Sequence, residues 1–217
     1  MTLFRMLCCG MRLYDTCAHH LGQPSRRMHE DTSRFNPGKV FLDAGQHQID
    51  ISADNVVFSG FSFHAGVGRA DGGFLSSLIR VRGSRNLVTQ CDFDGYFARK
   101  YIDIAAGTQF NNITYCHFAN KPPHPVHCTN VKMCTAPGHT AEGNLIQITP
   151  HPTVIGHHRI AYCGFRDLSG AGGDFGNEPI RLGYSHTAHP SRTIIEHCYF
   201  NNVGGADDES ISVRDGG

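Results

Sequence analysis

The feature that most constrains this sequence is a pair of short patterns that alternate along most of the chain. The first pattern is an apolar residue, any residue, and a second apolar residue, written I-x-I below. Its occurrences are Ile49/Ile51, Ile79/Val81, Ile102/Ile104, Ile146/Ile148, Ile180/Leu182 and Ile211/Val213. They recur at intervals between 23 residues (Ile79 to Ile102) and 44 residues (Ile102 to Ile146). Short apolar units that recur at such periods are typical of a solenoid.

The second pattern spans six residues: apolar, two variable residues, Cys or Phe, one variable residue, and Phe. It occurs as Phe58-Phe61-Phe63, Val88-Cys91-Phe93, Ile113-Cys116-Phe118, Ile160-Cys163-Phe165 and Ile195-Cys198-Phe200. Because side chains alternate between the two faces of a strand, both apolar residues of each I-x-I should point inward and the middle residue outward. Equivalent strands of a solenoid stack, so we predict one interior ladder of free thiols from Cys91, Cys116, Cys163 and Cys198, beside a ladder of Phe.

Composition agrees with an all-β chain rich in turns. The 217 residues include 25 glycines, and only 18% are charged. We predict a right-handed, single-stranded parallel β-helix; a β-sandwich built from regular hairpins is the alternative. Lys plus Arg and Asp plus Glu balance at 19 each, which argues against a general nucleic-acid binder. No apolar run is long enough to cross a membrane.

The pattern divides the chain into two parts. Residues 1–38 lack it, and we expect them to form an irregular N-terminal segment. Their apolar start is interrupted by Arg5 and Arg12, so it does not read as a secretory signal. Residues 39–217 are predicted to form the coils. The last I-x-I is followed by Gly217 before another Phe pattern begins, so we expect the solenoid to be incomplete at its C-terminal end.

Stacking the I-x-I rows also aligns the residues that lie two places before each row. This column reads His47, Ser77, Lys100, Asn144, Glu178 and Glu209. Its last three members carry oxygen, with Asn177 and Asp207 nearby, and calcium prefers carboxylate and amide oxygens. Strict alternation would bury the Glu178 and Glu209 carboxylates, which is costly, so both should lie in the turn before the strand. The alternative is that these are ordinary polar turn residues.

Arginines recur at positions expected to face outward from the I-x-I strands. They are Arg80, Arg82, Arg181 and Arg214. Guanidinium groups match carboxylate and sulfate groups well, so this face could hold an acidic polysaccharide. Scattered surface charge is the alternative.

Several segments resemble the family 6 polysaccharide lyases, which include alginate lyases and the chondroitinase B type. Coil sequences such as NVVFSGFSF, NLVTQCDF and NNITYCHF are similar to the coils of that family. HHRIAYCGFRDLSGAGGDFGNEPIRLGYS resembles its segment ending in IRIG, and DDESISVRD resembles its GE-x-E-I-I-S-x-K-S segment. The resemblance covers roughly residues 38–217.

The resemblance implies a site as well as a fold. In that family, calcium bound by one Asn and two Glu neutralises a uronate carboxylate, and a Lys removes the C5 proton for β-elimination. The two Glu correspond to Asp207 and Glu209, and the Lys corresponds to Arg214. The Asn corresponds to Phe175, which cannot bind calcium, so Asn177 would have to replace it. A second basic residue of the family falls beyond the end of this sequence.

The resemblance therefore implies a calcium-dependent lyase for an acidic uronate polysaccharide, with alginate favoured over dermatan or chondroitin sulfate. The expected roles are catalysis at Arg214, substrate binding by Arg181 and Tyr184, and calcium binding by Asn177, Asp207 and Glu209. Arginine stays protonated at working pH, so we expect the 217-residue chain to be a poor catalyst, with Tyr184 or His186 as the next candidate bases. The alternatives are a non-catalytic carbohydrate-binding β-helix and a purely structural one. The resemblance also implies a secreted or periplasmic location.

Overall fold

The computed structural model describes residues 12–14, 40–43, 48–64, 75–96, 98–121, 144–168, 178–183, 189–203 and 209–214. These residues form eighteen strands, numbered here in chain order, arranged in three sheets. Within this described part, no helix is long and apolar enough to cross a bilayer.

Each sheet collects one kind of strand. The I-x-I sheet contains β3 (Ile49–Ile51), β6 (Leu75–Val81), β9 (Ala98–Ile104), β12 (Ile146–Ile148), β15 (Ile180–Leu182) and β18 (Ile211–Val213). The short sheet contains β4 (Val57–Ser59), β7 (Leu87–Thr89), β10 (Asn112–Thr114), β13 (Arg159–Ala161) and β16 (Ile194–Glu196). The Phe sheet contains β1 (Arg12–Tyr14), β2 (Val40–Asp43), β5 (Phe61–His64), β8 (Asp92–Asp94), β11 (His117–Ala119), β14 (Gly164–Leu168) and β17 (Tyr199–Val203).

From β3 onward the chain visits the three sheets in turn and then repeats. Each strand pairs in parallel with its equivalent in the next coil, while β1 pairs antiparallel with β2. This topology confirms the predicted all-β parallel β-helix. A strand at Arg12–Tyr14 falls inside the segment predicted to be irregular; most of residues 1–38 lies outside the described residues, so that prediction stays a prediction.

The I-x-I rows stack in the predicted register. Ile102 lies opposite Ile79 on one side and opposite Ile146 on the other, and the same match continues through β15 and β18. The apolar residues of the rows from β3 to β15 are buried, none more than 5% exposed. Burying them on one shared axis gives neighbouring coils a continuous core.

The interior ladders are also confirmed. The aromatic ladder has ring centroids 4.9–5.0 Å apart between neighbouring coils. Its members are Phe63, Phe93, Phe118, Phe165 and Phe200. Cys91, Cys116 and Cys163 are buried free thiols, and Cys198 is partly exposed. Each sulfur also lies against a carbonyl of the preceding coil, as Cys116 Sγ does at 3.8 Å from Val88 O.

The six-residue sequence pattern is divided between two strands. Its first apolar residue belongs to the short sheet and its last Phe to the Phe sheet, as Ile113 in β10 and Phe118 in β11 show. The physical reason is the residue before each Cys, which turns the chain in the left-handed region: φ is 53° at Tyr115 and 56° at Tyr162. Non-glycine residues rarely adopt this conformation. The sequence pattern recorded spacing and could not reveal the corner.

A β-bulge precedes the I-x-I row in β9. The amides of Tyr101 and Ile102 both donate to Leu145 O, at 3.0 and 2.8 Å, which is the pattern of a bulge. Tyr101 and Ile102 are consecutive yet both fully buried, and the Tyr101 ring stacks on Phe93 in the core. The extra residue reverses the alternation, so Lys100 faces outward although it lies inside a strand.

A buried polar ladder occupies the corner that leads into the short sheet. Asn86 Oδ1 accepts from Val56 N at 2.8 Å, and Asn111 Oδ1 accepts from Asn86 N at 2.9 Å. In the next coil His158 takes the same place, and its Nδ1 accepts from Asn111 N at 3.2 Å. Only a neutral imidazole can accept there. Burial, together with the neighbouring His157, lowers the pKa of His158 to about 4.

Candidate functional site

The outward face of the I-x-I sheet carries a row of polar side chains that are nearly closed off from solvent. We call it the polar stripe; its members are Ser77, Lys100, Asp103, Asn144, Gln147, Glu178, Arg181 and Ser212, none more than 8% exposed. Charged residues are almost never fully buried unless they are paired. The stripe is therefore the candidate functional site.

At one end of the stripe the Asp103 carboxylate lies close to three side chains. Asp103 Oδ2 accepts from Ser77 Oγ at 3.2 Å, and Lys100 Nζ lies 3.4 Å from Asp103 Oδ1. Arg80 Nε approaches the same carboxylate at 3.9 Å. This end is held together by charge-assisted contacts, which are stronger than neutral hydrogen bonds.

In the middle of the stripe two amides are oriented by the backbone. Gln147 Nε2 donates to Gly183 O at 2.9 Å and to Ile148 O at 3.2 Å. Its Oε1 therefore faces the other way and accepts from Asn144 Nδ2 at 2.8 Å. Because the carbonyl partners can only accept, both amide orientations are fixed by the network.

At the other end Arg214 meets two carboxylates. Its Nη2 lies 3.2 Å from Glu178 Oε1 and 3.8 Å from Glu209 Oε2, and its Nε donates to Ser212 Oγ at 2.9 Å. The Glu178 side chain is fully buried, whereas 44% of the Glu209 side chain is exposed. Both glutamates precede their strands, β15 and β18, as predicted. The expectation that this position keeps the carboxylate out of the interior is wrong for Glu178, which Arg214 contacts instead.

Two oxygen atoms of the stripe have no hydrogen-bond partner. They are Asn144 Oδ1 and Glu178 Oε2, and both are closed off from solvent. Both atoms can only accept, Glu178 Oε2 as a carboxylate oxygen. A buried acceptor without a partner is unusual and needs an explanation.

The predicted site residues fall into two groups. Arg181, Glu209 and Arg214 lie on the outward side of the I-x-I sheet, and the structure brings Glu209 and Arg214 together. Arg181 takes the middle position of β15, 6% exposed. The others predicted from the sequence lie outside the described residues: Asn177, Tyr184, His186 and Asp207, with Phe175. Their roles stay predictions.

Sequence reasoning missed how these residues are connected. The Glu178–Arg214 pair joins residues of neighbouring rows, and the signal for it was present, because both positions flank an I-x-I on its outward side. The Asn144–Gln147 contact has the same origin. In both cases the aligned sequence columns predicted which residues stack in neighbouring coils. They did not predict which side chains contact residues of a different column.

The described residues include no group of three or more His, Cys, Asp or Glu side chains that could hold a metal ion. The two oxygen atoms of the stripe that lack a hydrogen-bond partner, one carboxylate and one amide oxygen, are of kinds that bind hard cations, but the guanidinium groups of Arg181 and Arg214 lie on the same face. Two of the three calcium ligands that the family resemblance implies, Asn177 and Asp207, lie outside the described residues, so that set stays a prediction.

Comparison with known proteins gives one positive result. A family model described as Chondroitinase B matches residues 32–214. No curated protein and no solved structure matches the chain. The match covers every strand from β2 to β18 and both ends of the polar stripe.

Proposed function

This chain belongs to the chondroitinase B family of polysaccharide lyases, and from that membership we propose that it binds an acidic uronate polysaccharide and cleaves it by calcium-dependent β-elimination. Alginate is the favoured substrate, ahead of dermatan or chondroitin sulfate. The proposed location is outside the cytoplasm, secreted or periplasmic, where such polymers are met.

One observation carries this proposal: at the end of the polar stripe, Arg181 and Arg214 lie on the outward side of neighbouring coils, and Arg214 contacts the buried Glu178. A stripe used only for folding would be expected to be apolar or to lie open to water, since buried charge is costly. Guanidinium groups held on a rigid sheet suit the planar carboxylate of a uronate.

Arg214 is proposed to clamp the substrate carboxylate. It is a poor base because a guanidinium stays protonated, with a pKa above about 12. Ser212 and Glu178 hold its Nε and Nη2, which fixes the plane of the group toward the stripe. Calcium, when bound by Asn177, Asp207 and Glu209, would neutralise the uronate carboxylate and make the C5 proton more acidic.

The second candidate is a non-catalytic carbohydrate-binding β-helix. Arg214 itself favours it, because this residue stands where the related lyases have the Lys that removes the proton. A clamp without a base would bind the polymer and leave it intact. Binding and cleavage are therefore measured separately.

The test compares the chain with an Arg214→Lys variant on alginate and on dermatan sulfate. Elimination is followed by the ultraviolet absorbance of the unsaturated uronate product, and binding by calorimetry. Slow, calcium-dependent cleavage by the parent chain and faster cleavage by Arg214→Lys would support the proposal, because lysine can act as a neutral base whereas arginine stays protonated. Arg159→Lys, on the short sheet, is the matched control and should change neither quantity.

Each outcome decides a different part. Binding without cleavage in both proteins would favour the non-catalytic alternative. Rapid elimination by the parent chain would show that another residue is the base, with Tyr184 or His186 next in line. Neither binding nor cleavage of any uronate polymer would overturn the proposal.

A further inference from the structure

We propose that two aromatic rings flanking β10, Phe110 and Tyr115, bind a segment of an uncharged polysaccharide on the outer surface of the short sheet. The two side chains are large and exposed, with 47% of Phe110 and 59% of Tyr115 open to solvent. The polar stripe belongs to a different sheet, so this surface is separate from the candidate site and goes beyond the proposed function.

One face of each ring is covered by the following coil. Phe110 stacks on His157 with ring centroids 5.3 Å apart and planes 6° from parallel. Tyr115 stacks on Tyr162 at 4.9 Å, also with planes 6° from parallel. Because both partners belong to the next coil, the other face of each ring is turned toward the preceding coil. The two remaining faces therefore point the same way along the solenoid.

The preceding coil leaves these faces open. Its matching positions, opposite the two rings, hold Arg85 and Gln90. Arg85 turns away from the ring, and its Nη2 lies 2.9 Å from Asp54 Oδ2 in the coil before. Gln90 turns in the same direction, and its Oε1 accepts from Ser59 Oγ at 3.3 Å. Neither polar group is placed over a ring, which agrees with the high exposure of both rings.

The turns of the backbone do not require rings at these positions. Phe110 and Tyr115 have φ values of 56° and 53°, in the left-handed region that bulky residues rarely adopt. In the first coil Gly60 takes the position equivalent to Tyr115, with a φ of 81° and no side chain. Residues held in such conformations often belong to binding sites, so the exposed rings point to a ligand.

A sugar ring fits the open faces. The C–H groups of a pyranose carry a small positive charge, and the face of an aromatic ring is negative. Coils repeat at about 4.8 Å, so a sugar would continue each stack where the next aromatic ring would otherwise lie. Phe110 and Tyr115 are five residues apart, which is at most about 17 Å along a strand and corresponds to a few sugar units of one chain.

A polar group lies between the two rings. Asn112 is half-buried on the outward side of β10, and its side-chain amide makes no hydrogen bond to the described residues. An amide can both donate to and accept from a hydroxyl group. Two ring faces with an amide between them therefore match the C–H faces and the hydroxyl groups of a sugar chain.

The charges beside the rings favour an uncharged polymer. Arg85 is paired with Asp54 at 2.9 Å. Arg159, opposite Asn112 in the following coil, is paired with Glu196 at 2.6 Å. Each cation is matched by an anion, so a polymer with a carboxylate on every sugar gains no net attraction here. An uncharged chain fits this surface without disturbing either pair.

The experiment is calorimetric titration of the whole chain with cellohexaose, an uncharged hexamer of β-1,4-linked glucose. Phe110→Ala and Tyr115→Ala should each weaken binding about fivefold or more, because each removes one stacking face. Tyr115→Phe keeps the ring and should bind like the parent chain. Tyr199→Ala is the matched control, because it removes a tyrosine of the Phe sheet that is 65% exposed. It should leave cellohexaose binding unchanged.

Gln90→Tyr covers the case in which the alanine variants fold poorly. The new ring would lie opposite Tyr115, in the place proposed for the sugar, and the same backbone conformation holds tyrosine at 115 and 162. The unfolding temperature should therefore not fall, whereas cellohexaose binding should weaken about fivefold or more.

Two results would overturn the proposal: no cellohexaose binding by the parent chain, or parent-like binding by Gln90→Tyr and both alanine variants. An alginate hexamer that binds more tightly than cellohexaose and loses more affinity in these variants would reject an uncharged occupant. Elimination of uronate polymers should be the same in Gln90→Tyr as in the parent chain, so this inference and the proposed function succeed or fail separately.

Discussion

The interior of the coils and the outward face of the I-x-I sheet are built by opposite rules. Inside, like residues stack on like: Phe on Phe in the Phe sheet and Cys on Cys beside it. On the outward face the column reads Arg80, Asp103, Gln147, Arg181 and Ser212, with no residue repeated in the next coil.

The difference follows from the interactions that each side uses. Aromatic rings attract their own kind when stacked with an offset, so repetition stabilises the core. Equal charges one coil apart, at about 4.8 Å, repel each other, so a charge repeats only where a counter-charge lies between, as Arg214 does for Glu178 and Glu209. The coils therefore share the same kinds of interior side chain but differ in their outward-facing side chains. The candidate site is made of these differing outward residues.

The strongest test of the interior rule is Phe118→Ala. Phe118 is fully buried and stacks on both sides, at 4.9 Å from Phe93 and 5.0 Å from Phe165. The cavity should lower the free energy of unfolding by about 3–5 kcal/mol, measured by chemical denaturation. A loss below about 1 kcal/mol, the scale of a surface change, would mean that the ladder does not hold neighbouring coils together.

His158 places a titratable group inside a repeating interior ladder. Its pKa is lowered to about 4 by burial, against about 6.5 in the unfolded chain. The unfolded chain therefore binds the proton more readily between these values, and folding stability should fall as the pH drops from about 6.5 to about 4. The loss due to this residue should reach up to about 3 kcal/mol.

His158→Asn is the matching variant, because Asn fills the same place in two preceding coils, at Asn86 and Asn111. Denaturation curves collected across this pH range should show a flatter dependence than the parent chain, whose other histidines remain as a common background. Parallel curves for the two proteins would contradict the assignment of a neutral His158 in the fold.

Gln147→Leu tests whether the hydrogen bonds of the polar stripe, and not only its packing, stabilise the fold. Leu has a similar size but cannot bond Asn144 or the carbonyls of Gly183 and Ile148. Leaving these buried groups unpaired should cost about 1–3 kcal/mol in unfolding free energy. An unchanged or higher unfolding free energy would show that an apolar residue can replace Gln147 in the stripe. It would weaken the inference that the stripe is a functional site.

The smallest effect is expected on the outer surface, where Tyr162 stacks between Tyr115 and His197, at 4.9 Å from each. This stack copies the geometry of the interior ladder but is exposed. Tyr162→Ala should lower unfolding free energy by about 1 kcal/mol, the value of an aromatic contact with little burial. A loss equal to that of Phe118→Ala would show that stacking, and not burial, stabilises the ladders.

The fold could be predicted from the sequence because stacked interior positions repeat and leave a countable pattern. The register of all six I-x-I rows was predicted correctly down to individual pairs such as Ile146 with Ile180. The corner at Tyr115 and the bulge at Tyr101 were not predicted, because each changes the direction of the chain without changing the spacing of the apolar residues. The two consecutive large apolar residues Tyr101 and Ile102 were the available sign of the bulge.

The candidate site was harder to predict for the same reason that it is interesting. Its residues do not repeat along the coils. The aligned column pointed to Asn144, Glu178 and Glu209 as oxygen-bearing candidates, whereas the resemblance pointed to Asn177, Asp207 and Glu209. The contacts that orient Asn144 and Glu178 run between columns and depend on side-chain reach. The sequence pattern therefore predicts which residues stack in neighbouring coils but not the side-chain contacts between columns.

The three corners of the coil have unequal freedom to change length. Two residues, such as Gln90 and Cys91 between β7 and β8, suffice for the corner between the short sheet and the Phe sheet in four successive coils. The corners on either side of the I-x-I sheet range from three residues between β8 and β9 to a long segment between β11 and β12. Insertions and deletions in descendants of this chain can therefore accumulate along both borders of the polar stripe while the ladders keep their register. During evolution the stacked core can stay constant while the loops that border the polar stripe diverge. Relatives that share this core could therefore come to bind different polymers.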